Sequence, residues 1–281
     1  MEKPVALITG ASSGFGLLMS ISLAKRGYHV VATMRNPEKS PALETYNQLE
    51  NIEVVKIDVT KHDEMTTSMK QIISRLGKID VLINNAGYAE AGFVEDISID
   101  AYRHQFDTNV FGLIAMTKAV LPFMRERKQG KIINISSISG RFGFPALSPY
   151  TASKHAIEGF SESLRLEMLP YGVYVSLVEP GSYKTAIWSK GMTTQSKQTT
   201  SAYEVYLTNI LQEIDQTSKN AGNPREVADL IVQIATSKRP KLRYPIGKNV
   251  KMQLLLKSLL PWEWLEQRVI KLASRTTKSK S

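Results

Sequence analysis

The chain has 281 residues, of which 42% are hydrophobic, so it can bury one large core and we expect a single domain over residues 1–281. It has no cysteine and only four scattered histidines, which excludes disulfides and thiolate metal sites and leaves no spacing typical of a metal site. The net charge of +10 lies entirely in residues 238–281, which hold twelve Lys/Arg and two Asp/Glu.

The first predicted unit is a strand, a glycine-rich turn and a helix. Residues 5–8 form a short apolar run typical of a buried strand, and a helical pattern covers 17–26. Glycines let backbone approach a phosphate, and the free N–H groups at a helix start favour an anion. The turn is therefore predicted to bind a dinucleotide pyrophosphate. Its residues, with the spacing G-x3-G-x-G, are Gly10, Ser12, Ser13, Gly14, Phe15 and Gly16.

Strands and helices then alternate along the chain. Further strands are predicted at 28–33, 52–57, 79–83, 130–136 and 173–178, and helices at about 61–76, 99–127 and 148–172. Another helix is expected to open after the second strand, with Asn36 as its cap. The alternation predicts an α/β fold, a single doubly wound, Rossmann-type parallel sheet with helices on both faces and a C-terminal helical extension. Ligands of such sheets bind beyond the carboxyl ends of the strands, so we expect one cleft there.

Tyr150 and Lys154 lie four residues apart near the start of a predicted helix, where Pro149 suits the first turn. Residues at i and i+4 share one helical face, so the ammonium is expected within a few ångströms of the phenol. A cation ~6 Å away at an effective dielectric of ~20 favours the phenolate by roughly 3 kcal/mol. We therefore expect Lys154 to lower the Tyr150 pKa by about two units, into the range of proton exchange. The alternative is an ordinary surface pair.

With these motifs the chain resembles the short-chain dehydrogenase/reductase family over about residues 5–236. The family's T-G-x-x-x-G-x-G motif matches residues 9–16, its N-N-A-G stretch matches 84–87, and its Y-x-x-x-K pair matches Tyr150 and Lys154. The stretch Gly14-Phe15-Gly16, Arg141 and residues 178–181 are similar to the hydroxysteroid/retinol dehydrogenase-like branch.

The resemblance implies four catalytic residues: Tyr150, Lys154, Ser137 and Asn109. It implies that Tyr150 gives a proton to the substrate carbonyl while the nicotinamide delivers hydride, and that Ser137 holds the same oxygen. Lys154 lowers the pKa of the tyrosine and bonds the nicotinamide ribose, and Asn109 holds a water that links Lys154 to solvent. Besides the glycine turn, the implied cofactor contacts are Asp58, Val59, Asn85, Ala86, Gly87, Tyr150, Lys154, Pro180, Gly181 and Thr185.

The end of the second strand predicts which cofactor binds. An NAD enzyme of this architecture places an Asp or Glu about 20 residues past the glycine motif. Here the strand ends in Met34-Arg35, and Arg35 can pair with a 2′-phosphate through a charge-assisted fork. Glu38 is interpreted as compensation of the helix dipole. We therefore expect NADP, and an enzyme that works as a reductase.

The substrate is expected to be a small lipophilic carbonyl or alcohol compound of steroid, retinoid or lipid type. Residues 190–222 are polar, and Thr, Ser and Gln dominate 193–201, a composition that predicts a mobile lid. Some of the aromatic side chains near the motifs belong to the ordinary core. Those expected near the cleft are Phe93, Phe142, Phe144, Trp188 and Met192.

Residues 248–281 form a basic and apolar tail, in which Pro261 predicts two short helices joined at a bend. The tail either closes the substrate cleft or lies on a membrane, with lysines on anionic lipid and Trp262 and Trp264 at the headgroups. No signal peptide and no apolar run of membrane-spanning length is found, so we expect a cytoplasmic protein, peripheral to a membrane in the second case. Aromatic residues do not follow a basic groove, which argues against nucleic acid as a partner.

Two other classes share part of the pattern. Nucleotide-sugar epimerases and dehydratases share Y-x-x-x-K, but they have a different glycine spacing and a larger C-terminal domain. A non-catalytic NADP-sensing or membrane-surface binding protein on this fold typically lacks the tyrosine or the lysine, and both are present here. We therefore prefer an NADP-dependent oxidoreductase. Family members are often homo-oligomers, and nothing in the chain decides between dimer and tetramer.

Overall fold

A parallel sheet of seven strands, in the order β3-β2-β1-β4-β5-β6-β7, organises the computed structural model, which describes residues 3–40, 42–184, 201–219 and 221–273. Every neighbouring pair of strands is parallel. The strands are β1 (Val5–Thr9), β2 (His29–Met34), β3 (Ile52–Lys56), β4 (Val81–Asn84), β5 (Gly130–Ile135), β6 (Val173–Pro180) and β7 (Arg243–Ile246). The α-helices are α1 (Gly14–Lys25), α2 (Ala42–Asn47), α3 (His62–Leu76), α4 (Ile99–Phe106), α5 (Gly112–Glu126), α6 (Ser148–Met168), α7 (Glu204–Lys219), α8 (Arg225–Thr236), α9 (Val250–Leu259) and α10 (Trp262–Ala273).

Helices cover both faces of the sheet, which confirms the predicted doubly wound fold. Successive side chains of a strand point to opposite faces, and in β1 Ile8 packs with α1 and α8 while Leu7 packs with α3, α5 and α6. Because both faces are buried, β1 is apolar at every position but its last. The side chains of Leu7 and Ile8 are both fully buried.

Strand β7 was missed by the sequence analysis. Its four residues form no apolar run, all are only half-buried, and Pro245 is one of them. Proline is tolerated in edge strands, and among the described strands β7 lies at one edge of the sheet, next to β6. Its position therefore depends on tertiary pairing rather than on a local pattern.

The helix predicted over 99–127 is interrupted. A π-helical segment, Asp107–Phe111, separates α4 from α5 and carries Asn109. The helix expected after β2 also begins later than predicted, because a 3₁₀ turn at Pro37–Lys39 precedes α2.

Pro261 separates α9 from α10, as the sequence predicts. Of the predicted lid, the described part consists of a 3₁₀ turn, Ser201–Tyr203, and α7. Within the described ranges, no helix is both long and apolar enough to cross a bilayer.

Candidate active site

The glycine turn packs directly against the backbone that follows β4. Gly10 and Gly14 have φ angles of 67° and 56°, in the region that favours glycine. A Cβ on Gly10 would lie 2.7 Å from the Ala86 Cα, and one on Gly16 would lie 2.4 Å from the Gly10 carbonyl oxygen. The turn therefore has the close backbone approach that a pyrophosphate site requires, and larger residues do not fit there.

Hydrogen bonds join the ends of β1 and β4 into one unit. The Thr9 hydroxyl accepts from the backbone N–H groups of Asn85 and Ala86, each at 3.0 Å. The Asn85 side-chain amide donates to the carbonyl oxygens of Thr9 and Gly10 at 2.9 and 3.0 Å. The two segments expected to contact the cofactor thus hold each other in place.

The remaining expected cofactor residues lie around this unit. Arg35 follows β2 with its side chain exposed, close enough to Tyr88 for its charge to oppose the rise in the Tyr88 pKa that burial causes. Asp58 accepts from the N–H and hydroxyl of Thr60, at 3.0 and 2.8 Å, and Val59 is buried against Gly112. In the glycine turn, the Ser12 carbonyl accepts a hydrogen bond from the Ser40 hydroxyl, and Ser13 directly precedes α1. The Phe15 ring packs edge-on against the Tyr183 ring. After β4, Gly87 faces the Asn109 side chain.

Tyr150 and Lys154 are buried in the first turns of α6, with exposed fractions of 4% and 5%. The Lys154 Nζ lies 5.6 Å from the centre of the Tyr150 ring. The same Nζ donates to the carbonyl oxygen of Ile135, the last residue of β5, at 2.7 Å. The structure thus brings the two side chains together, and the end of a strand fixes the position of the lysine.

Burial changes the acidity that the sequence led us to expect. It raises the pKa of Tyr150 to about 12, and a hydrogen bond with Ser137 acts in the opposite direction. Burial also lowers the pKa of Lys154 to about 8, opposed by the charge of Glu158. The expected net lowering of the Tyr150 pKa by Lys154 is therefore not met, because both side chains lose hydration. At neutral pH Tyr150 is a neutral phenol, the form that donates a proton.

The two serines at the end of β5 serve different neighbours. Ser137 pairs with Tyr150, and its Oγ also accepts from the Ser139 N–H at 3.1 Å. The Ser136 Oγ lies on the other side, where a Cβ on Gly140 would be 2.8 Å from it. The structure therefore places Ser137, rather than Ser136, beside the phenol.

Asn109 reaches α6 through a residue that the sequence analysis missed. Its side-chain amide nitrogen donates to the Tyr88 carbonyl at 3.0 Å and to the Ser153 hydroxyl at 3.1 Å, and its oxygen accepts from the Tyr88 N–H. Ser153 in turn donates to the Tyr150 carbonyl at 2.7 Å. Asn109 is 1% exposed and Ser153 is fully buried. The position of Ser153 one helical turn after Tyr150 was the available signal.

Apolar and aromatic groups border the loop after Ser137. Phe93 stacks on Tyr203 with ring centres 4.3 Å apart, and Phe142 lies 6.1 Å from Phe144. Lys257 of α9 lies over the Phe142 ring, 5.0 Å from its centre, and donates to the Arg141 carbonyl. Thr185, Trp188 and Met192 lie outside the described residues.

The start of the tail packs on the turn that follows β6. The Gly181 N–H, next to Pro180, donates to the Ile246 carbonyl at 2.9 Å. A Cβ on Gly181 would lie 2.6 Å from the Val250 Cγ2, so the first residue of α9 packs on this turn. The first residue of α9 therefore contacts the same turn that is expected to contact the cofactor.

The comparisons with known proteins agree with this geometry. A family model described as short chain dehydrogenase matches residues 4–224. The uncharacterized oxidoreductase YusZ of Bacillus subtilis (strain 168) is 50% identical over 269 residues, which is 93% of this chain and 95% of that protein. The 3-ketodihydrosphingosine reductase of Bacteroides thetaiotaomicron is 36% identical over 98% of each chain. Retinol dehydrogenase 8 of Bos taurus is 36% identical, over 91% of this chain and 85% of that protein.

Solved structures show the same architecture. A short-chain dehydrogenase from Streptomyces avermitilis has a TM-score of 0.81 at 31% identity, over 96% of this chain and 95% of that one. Actinorhodin polyketide ketoreductase, solved with NADPH, has a TM-score of 0.75 at 27% identity, over 88% of this chain and 97% of that one. The likeness extends over nearly the whole chain.

Proposed function

The chain belongs to the short-chain dehydrogenase/reductase family and is an oxidoreductase, and from that premise we propose that it reduces a lipophilic ketone or aldehyde with NADPH. The observation that carries this proposal is the buried, neutral Tyr150 phenol, paired with Ser137 and backed by Lys154. A neutral phenol donates a proton to a carbonyl oxygen, which is the step that reduction needs.

Each side chain has a defined task in this proposal. Tyr150 donates its proton to the substrate oxygen, and the Ser137 hydroxyl holds that oxygen in place. Lys154, anchored on the Ile135 carbonyl, supplies the positive charge that favours the resulting phenolate. Asn109 and Ser153 hold the backbone of Tyr150 from the other side. The nicotinamide, when bound, supplies the hydride, and the glycine turn with the Asn85–Gly87 segment would hold its dinucleotide.

The preference for NADP depends on Arg35. The guanidinium is exposed at the end of β2, where the ribose 2′-position is expected, and the fork geometry suits a phosphate. Structural relatives in this family bind the same cofactor: actinorhodin polyketide ketoreductase was solved with NADPH. Charge-assisted hydrogen bonds contribute roughly 1.5–3 kcal/mol.

Steady-state kinetics with NADPH and NADH test this preference. Arg35→Asp is expected to lower kcat/KM for NADPH by about 10- to 100-fold and to improve the use of NADH, because a carboxylate repels the 2′-phosphate and accepts from a 2′-hydroxyl. Arg26→Asp, which replaces an exposed arginine at the C-terminal end of α1, is the matched control and should leave both values unchanged. Equal use of both cofactors by the wild type contradicts the proposal.

The lipophilic substrate is supported by aromatic side chains around the catalytic loop and by relatives. Phe142 and Phe144 belong to the loop after Ser137, and Gly92, next to Phe93, donates to the Ala146 carbonyl at the end of that loop. Tyr203, in the described part of the expected lid, stacks on Phe93. Two relatives are named for 3-ketodihydrosphingosine and for retinol, both lipophilic molecules. A screen of NADPH oxidation should therefore favour steroid-, retinoid- or sphingoid-sized carbonyls, and higher activity on small charged keto acids contradicts this.

We further propose that the protein is cytoplasmic and that its tail contacts anionic lipid. Among residues 250–271 only Val250 is buried, while Leu259 is 70% exposed and Trp262 and Trp264 are 54% and 66% exposed. Lys248, Lys251, Arg268 and Lys271 are exposed on the same two helices or just before them. A second copy of this basic segment would be repelled, whereas an anionic headgroup layer complements it. Lys257, which packs on Phe142, links this surface to the loop after Ser137.

Homo-oligomerisation is proposed for a different surface. Ile99 at the start of α4 is 66% exposed, and Phe111 in the π-helical segment is 49% exposed. Both side chains line one surface depression, together with Tyr102 and Phe106, and they present an apolar patch that a second copy can cover. Solution mass measured with Phe111→Ser and with the wild type tests this assignment.

A further inference from the structure

A buried cluster of charged side chains lies directly behind the Tyr150–Lys154 pair. Glu158 follows Lys154 by one turn of α6 and is 5% exposed, and Glu179 of β6 is 1% exposed. The Arg243 Nη1, from β7, lies 2.6 Å from the Glu158 Oε2 and 3.4 Å from the Glu179 Oε1. Arg141 reaches the same Glu179 oxygen at 3.5 Å. Two carboxylates and two guanidinium groups thus meet beside the carboxyl-terminal half of β6, where Arg243 begins β7.

The cluster is not fully paired. Neither the Glu158 Oε1 nor the Glu179 Oε2 has a hydrogen-bond partner among the described residues. Leaving a buried charged group without full pairing costs stability, and apolar residues of the same size often stabilise a protein more. Packing alone therefore does not account for two buried carboxylates at this place, one helical turn from the lysine of the active site.

Glu158 acts on Lys154 through its charge. The two residues are at i and i+4 on α6, the spacing that puts side chains on one face. Burial lowers the Lys154 pKa, and the Glu158 carboxylate raises it again. Burial also raises the pKa of Glu158 itself to about 7, assisted by the charge of Glu179 and opposed by Ser136, Arg243 and Arg141. The charge on Lys154 therefore depends on a neighbour that itself titrates near neutral pH.

We propose that Glu158 is a positioning residue that keeps Lys154 in its charged form and thereby sets the pH range over which Tyr150 exchanges its proton. The assignment rests on the proposed role of Tyr150. The groups that face Glu158 are Ser136 at the end of β5, Glu179 of β6, Arg243 of β7, Arg141 of the following loop, and Lys154 and Gly140. Glu162 lies one turn further along α6 and binds the same Arg243 at 2.5 Å, but it is 54% exposed.

The direction of the effect follows from these charges. When Glu158 is ionised, it favours the Lys154 ammonium, and the ammonium favours the Tyr150 phenolate. Glu158→Gln keeps the shape and removes the charge, so the Lys154 pKa should fall and the Tyr150 pKa should rise. Below the pKa of Glu158 the wild type already carries a neutral side chain there, so the variant and the wild type should converge at acid pH.

The experiment has two parts, and the first needs no substrate. Protein labelled with carbon-13 at the lysine Cε is titrated by NMR, and the Lys154 signal is assigned from its absence in Lys154→Met. In Glu158→Gln the midpoint of Lys154 should fall by about one pKa unit. Glu162→Gln, which also removes a carboxylate from Arg243, should leave the Lys154 midpoint unchanged. Glu158→Asp, which keeps the carboxylate, should keep the midpoint close to the wild-type value. An unchanged midpoint in Glu158→Gln overturns the proposal.

The second part is the pH profile of kcat/KM for oxidation of retinol with NADP. In Glu158→Gln the apparent pKa of the rising limb should move up by about one unit, so that the loss is roughly tenfold near that pKa and vanishes at acid pH. A loss that is equal at every pH means that Glu158 only holds Arg243 and β7, and it overturns the proposal. If the wild type turns over no carbonyl or alcohol, the proposed function fails, while the lysine titration still decides the role of Glu158. If Glu158→Gln does not fold, Glu158→Met, which also removes the charge and has a side chain of similar length, is measured in the same two ways with the same expected shifts.

Discussion

Helix α6 and the two tail helices differ in what surrounds their side chains. On α6, Tyr150, Lys154 and Glu158 are all buried, and neighbours on β5, β6 and β7 fix their positions. On α9 and α10, large apolar side chains such as Leu259 and Trp264 lie exposed. The chemistry of α6 is thus determined by contacts within the chain. Within the described residues these tail side chains stay largely uncovered, so the proposed role of the tail depends on the surface that it meets.

The largest effect is expected from the centre of the buried region. Tyr150→Phe removes only the transferable proton, so kcat should fall by about 10²–10⁴-fold while cofactor affinity stays within a factor of about two. NADPH oxidation with a good carbonyl substrate and a direct NADPH titration measure the two quantities. Tyr171→Phe, exposed just beyond the end of the same helix, is the control. A Tyr150→Phe variant that keeps more than about a tenth of the wild-type rate contradicts the assignment of the acid.

A smaller effect is expected where the backbone itself forms the site. Gly16→Ala forces a methyl group to within 2.4 Å of the Gly10 carbonyl oxygen, so the turn must shift. Overpacking of this kind costs about 1–3 kcal/mol, and NADPH affinity should fall by roughly 10- to 100-fold. Thermal unfolding with and without NADPH measures both changes.

Gly159 on α6 provides the matched control for that substitution. A Cβ at this position meets no atom within 4 Å, and the residue is exposed. Gly159→Ala should therefore leave NADPH affinity unchanged and stabilise the helix by about 0.5–1 kcal/mol. If Gly16→Ala and Gly159→Ala behave alike, the glycine turn is not the cofactor site.

Features that depend on neighbouring residues in the sequence could be predicted, whereas features that depend on contacts between distant residues could not. The glycine turn, the Tyr150–Lys154 pair and six of the strands are local patterns, so spacing and periodicity are enough to find them. The charged cluster is not local, because Arg243 is 85 residues from Glu158 and lies on a strand with no apolar run. The acidity of Tyr150 was also misjudged, since the sequence shows the distance to Lys154 but not the depth at which both side chains are buried. The substrate and the proposed lipid surface are molecules outside the chain, so patterns within it indicate their chemistry but not their identity.

The smallest effect on turnover is expected in the tail, where the comparison with α6 can be tested most directly. Trp262→Ser combined with Trp264→Ser should leave NADPH oxidation with a soluble carbonyl within about twofold, because both side chains are exposed and the proposed catalytic residues are buried elsewhere. At low salt, much less of this double variant than of the wild type should sediment with liposomes that contain phosphatidylserine, because the indoles that anchor the tail at the headgroups are lost. Each exposed lysine near such a surface contributes about 1 kcal/mol to the attachment that remains.

Two controls distinguish specific contact with anionic lipid from nonspecific hydrophobic adsorption to vesicles. Leu166→Ser removes an apolar side chain that is 75% exposed on α6, and it should leave sedimentation unchanged. Phosphatidylcholine vesicles, or the same anionic vesicles at high salt, should bind little wild-type protein, because the attraction depends on unscreened charge. Wild-type protein that stays in the supernatant with anionic liposomes at low salt leaves the tail with the packing role alone, through Val250 on the Gly181 turn and Lys257 on Phe142. In that case the exposed leucines and tryptophans must be covered by protein, and the solution mass of the tail variant becomes the deciding measurement.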